Sequence, residues 1–72
     1  MEDNATYREE IGRQLAELRA KRGLSTRQLA ELCGVNFANI CKIENGKYNV
    51  SIDILGKICE VLGAKIRIVE KD

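Results

Sequence analysis

The sequence predicts an all-α fold, a compact set of four helices followed by a C-terminal β-strand. Three observations point there. Thr6, Ser25, Asn36 and Ser51 each stand as a cap before a stretch with helical apolar spacing, and Gly23, Gly34, Gly46 and Gly63 stand where those stretches stop. Proline is absent and helix-forming residues run almost throughout. Only beyond Gly63 does the apolar period change from helical to two.

Residues 1–5 read as a disordered N-terminus. Thr6 and Glu9 then have the spacing of a capping box, in which the side chains of the two residues satisfy each other's backbone N–H. Tyr7, Ile11, Leu15 and Leu18 recur on one helical face, so a first helix of about four turns reaches Arg22 and stops at Gly23. Ser25 and Gln28 form a second capping box, which starts a helix near Thr26. Its narrow apolar face is Leu29, Ala30 and Cys33, and Gly34 supplies the left-handed residue that ends it. Asn36 is again a good cap, so a third helix starts almost at once, at Phe37. Ile40 and Ile43 point one way from it, while Ala38, Lys42 and Asn45 point the other. One face can pack and the other is free to read something.

After a loop at residues 47–50, Ser51 caps a fourth helix with Asp53 well placed in its first turn, and Ile52, Leu55, Ile58, Cys59 and Leu62 form its stripe. The helical domain thus covers residues 6–63. In residues 64–72, Ile66 and Ile68 alternate with Lys65, Arg67 and Val69, the pattern of a strand. No other stretch reads as β, and a lone strand leaves its backbone N–H and C=O groups unpaired. It is therefore expected to pair with its own copy across a two-fold axis, with Ile66 and Ile68 as dimer contacts. The alternative is a disordered tail.

A chain of 72 residues holds one domain. Burying only about 60% of its unfolded surface, such a chain is marginally stable, and a second subunit would help. Three Cys, no secretory leader and no apolar run long enough to cross a membrane suggest a cytoplasmic protein with reduced thiols. The chain has no His, which excludes a His-based metal site or acid–base catalyst, and three scattered Cys make no zinc site. No cofactor is expected. Net charge is only +1, but residues 19–47 carry six cationic against two anionic side chains, a local +4. One basic face is the reading that follows, with Glu2, Asp3, Glu9, Glu10, Glu70 and Asp72 gathered at the ends. Lys21 and Arg22 suit the C-terminal dipole of the first helix, and phosphate contact is their other reading.

Helix, short Gly-containing turn, helix is the helix-turn-helix unit, here at about residues 25–45, whose second helix lies in the DNA major groove. R-x-x-R-G-L-S from Arg19 to Ser25, then QLAELCGV, then I-C-K-I-E-N-G-K from Ile40 to Lys47 closely resembles the phage-repressor (Cro and cI type, or xenobiotic-response-element) helix-turn-helix family. The resemblance spans about Ile11 to Gly63. It implies a repressor-like domain in which the positions of Thr26 and Asn36 approach phosphates and those of Asn45 and Lys47 grip the backbone beyond the recognition helix. Ser25 and Arg27, at the start of the second helix, join that phosphate-contacting set because helix N-termini offer N–H donors and a positive dipole end.

Sequence readout is expected from the third helix. Phe37, Ala38 and Lys42 match the family's base-contacting positions, with Asn39 and Cys41 beside them. Phe37 and Ala38 suit thymine methyls, and Lys42 can donate to guanine O6 or N7. The family commonly places polar residues, often Gln, where Phe37 and Ala38 stand, so this chain would rely more on methyl contacts and DNA shape. For Phe37, packing in the core or at a dimer contact is the competing reading. The resemblance also implies a structural ion pair between Arg19 and Glu44, which would fix the recognition helix. Family members often carry a fifth helix where this chain has its strand-like tail. Cys33 and Cys59 read as core, and Cys41 as more exposed.

Together these features suggest a sequence-specific DNA-binding transcriptional regulator, a repressor that binds a palindromic operator as a homodimer. Its recognition helices would lie about 34 Å apart, one DNA turn. The alternative is an antitoxin-type module that neutralises a partner toxin, with the terminal strand added to the toxin's sheet. Nothing supports an enzyme.

Overall fold

The computed structural model describes residues 4–71, which form four helices: α1 (Asn4–Lys21), α2 (Thr26–Cys33), α3 (Phe37–Glu44) and α4 (Ile52–Val61). Among the described residues there is no strand. Helices α2, α3 and α4 begin where their caps place them. The Ser25 hydroxyl accepts from the Gln28 N–H at 3.0 Å while Gln28 Oε1 accepts from the Ser25 N–H at 2.8 Å, so the capping box is closed in both directions. Asn36 Oδ1 accepts from the N–H groups of Ala38 and Asn39, and the Ser51 hydroxyl from that of Ile54. Gly34 ends α2 with φ +69°, and Val35 N–H reaches back to the Ala30 carbonyl at 3.1 Å. That left-handed residue turns the chain sharply enough for α3 to start three residues later.

The first helix departs from expectation. It already includes Asn4 and Ala5, so Thr6 lies inside a helix rather than at its cap, and residues 4–5 do not belong to a disordered N-terminus; residues 1–3 lie outside the described residues. Tyr7 and Ile11, expected on the buried stripe, are 55% and 39% exposed, and of that stripe only Leu15 is fully buried. Ile52 of α4 is likewise exposed, at 70%. Periodicity correctly names the apolar face in each case. It cannot say whether anything lies opposite, and at the starts of α1 and α4 the described residues leave these side chains uncovered.

The packing order explains this. α1 packs on α3, α3 on α2, and α2 on α4. The core of Leu15, Leu29, Ala30, Cys33, Ile40, Ile43, Leu55, Ile58, Cys59 and Leu62 therefore centres on the α2–α3 corner. At the α1–α3 crossing, Gly12 is buried, and a Cβ there would run into the Ile43 carbonyl oxygen and stand 2.7 Å from that of Glu44. Only a residue without a side chain lets α1 lie this close to the end of α3.

The tail, expected as a strand paired with a second copy, forms no strand in the single copy. From Ala64 to Lys71 the backbone has no regular structure, and Ile66, Ile68 and Val69 are 46%, 98% and 82% exposed. A period of two is a side-chain pattern. A strand also needs a ladder of backbone partners, and four helices provide none.

Candidate nucleic-acid interface

The third helix divides cleanly into two faces. Ile40 and Ile43 are 1% and 3% exposed against the core, while Ala38 and Lys42, one turn apart, are open to solvent. Asn39 and Cys41 flank the open side and are half-buried. Beyond the helix, Asn45 caps its C-terminus with its N–H on the Cys41 carbonyl at 3.1 Å, and Lys47 N–H bonds the Lys42 carbonyl at 2.8 Å. The side chains of Asn45 and Lys47 are thereby exposed on a loop tied to the end of α3.

At the other end, the N-termini of α2 and α3 meet. Ser25 and Arg27 are exposed, Thr26 is half-buried, and Asn36 is exposed at the start of α3. Ser25 and Asn36 use their side-chain oxygens as caps, which leaves N–H groups of the first turns free to face an anion. Phe37 differs from Ala38 and Lys42. Its ring is half-buried against the core, and the Arg27 guanidinium lies over it with 4.1 Å from Cζ to the ring centroid. No spacing rule in the sequence signals that contact, because it crosses the turn between two helices.

Arg19 and Glu44 form a two-pronged pair. Arg19 Nε donates to Glu44 Oε2 at 2.7 Å and Nη2 to Oε1 at 3.1 Å, while Nη1 donates to the Leu24 carbonyl at 2.8 Å. With side-chain exposures of 20% and 9%, the pair is largely shielded from solvent, and the bond to Glu44 pushes the Arg19 guanidinium further toward its charged form. One side chain thus links the end of α1, the start of the α2 loop and the last residue of α3. Arg22 is also engaged, its Nε donating to the Leu62 carbonyl at 3.0 Å, so it ties α1 to the end of α4. Neither dipole nor phosphate alone accounts for it. Lys21 remains exposed in the last turn of α1.

All three cysteines are free thiols. Burial pushes Cys33 and Cys59 up from the ordinary thiol range. Among the described residues no three of His, Cys, Asp or Glu gather where they could hold a metal ion, and no helix is long and apolar enough to cross a membrane.

A capped helix, a left-handed glycine turn and a second helix with one open face, seated on a third, define a helix-turn-helix domain. The profile of the family described as a helix-turn-helix domain matches residues 10–67. The chain belongs to the phage-repressor type of that helix-turn-helix family.

It is 40% identical over 52 residues to an uncharacterized HTH-type transcriptional regulator of Archaeoglobus fulgidus, covering 72% of this chain and 74% of that protein. It is 38% identical over 55 residues to the HTH-type transcriptional regulator PuuR of Escherichia coli, covering 76% of this chain but only 30% of that protein. Among solved structures, the clp gene regulator ClgR from Corynebacterium glutamicum superposes with TM-score 0.77 and 37% identity, over 79% of this chain and 61% of that one. The restriction-modification controller protein C.AhdI from Aeromonas hydrophila superposes with TM-score 0.80 and 32% identity, over 83% and 91%.

Proposed function

We propose that this chain is a sequence-specific DNA-binding transcriptional regulator that acts in the cytoplasm and binds a palindromic operator as a homodimer. The observation that carries the reading is the open Ala38–Lys42 side of a helix whose opposite side, Ile40 and Ile43, is locked into the core. Such a helix can enter a groove without giving up packing. Ala38, Asn39 and Lys42 would then face base edges, with Lys42 donating to guanine. Ser25, Thr26, Arg27 and Asn36 at one end and Asn45 and Lys47 at the other would hold the flanking phosphates. Relatives named as transcriptional regulators support the same reading. Its role would be that of a repressor, a domain seated in the groove excluding other proteins from the same base pairs.

Ile66, Ile68 and the open apolar hollows beside them support the dimer. Tyr7 and Ile11 border two neighbouring hollows, one completed by Ile52 and the other by Ile66 and Val69 of the tail. Pairing two tails across a two-fold axis would give each its missing ladder and cover those side chains. The same tail is what an antitoxin-type module would add to a toxin's sheet, the second reading.

Selection of bound sequences from random DNA, followed by a salt titration, tests the proposal. Lys42→Ala is expected to lose preference at one base pair, whereas Lys47→Ala should weaken binding to all sequences and lower the salt slope by about one. If the wild-type chain enriches no sequence, the regulator reading fails.

A further inference from the structure

The contact between Arg27 and Phe37 bridges two helix starts. Arg27 is the second residue of α2 and Phe37 the first of α3, and both backbones are fixed by the capping interactions of Ser25 and Asn36 just before them. The ring is held from below as well, because it is half-buried against the core. The guanidinium therefore rests on a ring that is packed against the core at the capped start of α3.

Arg27 is exposed, and among the described residues no carboxylate or carbonyl accepts a hydrogen bond from it. Arg19 and Arg22, by contrast, donate to Glu44, Leu24 and Leu62. A guanidinium attracted to an aromatic face spends none of its N–H donors on that contact, so they stay available to an acceptor. The ring contact favours that side-chain placement before any partner arrives, so part of the rotamer entropy that a long cation loses on binding is lost already. Cationic, held over the ring and without an acceptor among the described residues, the group is suited to an anion from outside.

Resting on the DNA-binding reading above, we infer that Phe37 is a positioning residue and not a base reader: its ring holds the Arg27 guanidinium on a DNA phosphate at the groove edge. A phosphate is the ligand because Arg27 belongs to α2, and the first helix of a helix-turn-helix unit crosses the backbone rather than entering the groove. Phe37 at the head of the recognition helix then sets how deeply that helix sits, through Arg27 and not through a contact of its own.

The test is binding of the full chain to its selected DNA sequence across a salt series, with Arg27→Ala, Phe37→Leu, the double variant and Phe37→Tyr, each checked by thermal melting. Arg27→Ala and Phe37→Leu are each expected to weaken binding about fivefold to tenfold with base preference unchanged. Arg27→Ala should also lower the salt slope by about one. The double variant should bind no more weakly than Arg27→Ala, and Phe37→Tyr, which keeps the ring face, should bind as wild type.

Should Phe37→Leu fail to fold, Arg27→Lys leaves the ring and core untouched while removing the planar face. It is expected to fall between wild type and Arg27→Ala, and binding equal to wild type would overturn the inference. So would relaxed preference at one base pair in Phe37→Leu, which marks a base contact, or multiplied losses in the double variant, which mark independent roles. A wild-type chain that enriches no DNA overturns the regulator reading and this one together. Wild-type binding that Phe37→Leu leaves intact overturns this one alone.

Discussion

Arg19 reaches three pieces of the domain with one side chain, and its removal leaves Glu44 shielded and without its cation. Arg19→Ala is therefore expected to destabilise the domain by about 3 kcal/mol, because a shielded charge stripped of its partner costs more than the pair contributed. Thermal melting measures it, and an unchanged midpoint would deny the pair any structural role. The buried thiols give a pH dependence of known sign. Cys33 and Cys59 are raised by burial, so the unfolded chain begins to lose these protons at about pH 8.5, before the folded one does. Their stabilising effect is full below that pH and declines above it. Melting midpoints should fall between pH 8 and 10 with a steepness that a Cys33→Ala, Cys59→Ala variant lacks. The pairing of Arg19 with Glu44 was approachable from the sequence because a motif carries both residues. The stacking of Arg27 on Phe37 was not, since it depends on how two helices cross.

Among the elements, the caps of α2, α3 and α4 were legible because each is a local contest between one side chain and the next turn's N–H groups. The start of α1 was not, for a helix that already exists at Asn4 absorbs a cap signal two residues later. Gly12 was also invisible, as a glycine in a helix reads as a weakness until the crossing helix is seen. Two helical glycines make opposite predictions. Gly12→Ala drives a methyl into the backbone of Ile43 and Glu44 and should cost at least about 2 kcal/mol. Gly56→Ala on α4 meets nothing within 4 Å and should stabilise by about 0.5–1 kcal/mol. Urea unfolding of the two variants reads both signs, and a neutral Gly12→Ala would mean that α1 can move off α3.

At the scale of the whole molecule, Tyr7 and Ile11 of α1 border two hollows, one shared with Ile52 and one with Ile66 and Val69, and a domain this small gains most from covering them. Ile68, 98% exposed, buries almost nothing within a single copy. Ile68→Glu is expected to convert a dimer in analytical ultracentrifugation to a monomer with an unchanged fold, and to weaken operator binding at least about tenfold by removing the linked second half-site. A wild-type chain that sediments as a monomer at tens of micromolar would exclude self-pairing. The fold class was readable from period and punctuation. The ends of the apolar stripes and the fate of the tail were not, because both depend on what lies across from them.

The order in which the helices touch has one more outcome. α3 lies between α1 and α2, so the segment presented outward is also the keystone of the interior. Amide deuterium exchange should accordingly be slowest at Ile40 and Ile43 and quicken toward either terminus. Under the proposed readout, gene duplicates of this chain would diverge in target through Ala38 and Lys42 without loss of stability, since neither side chain is packed in the core.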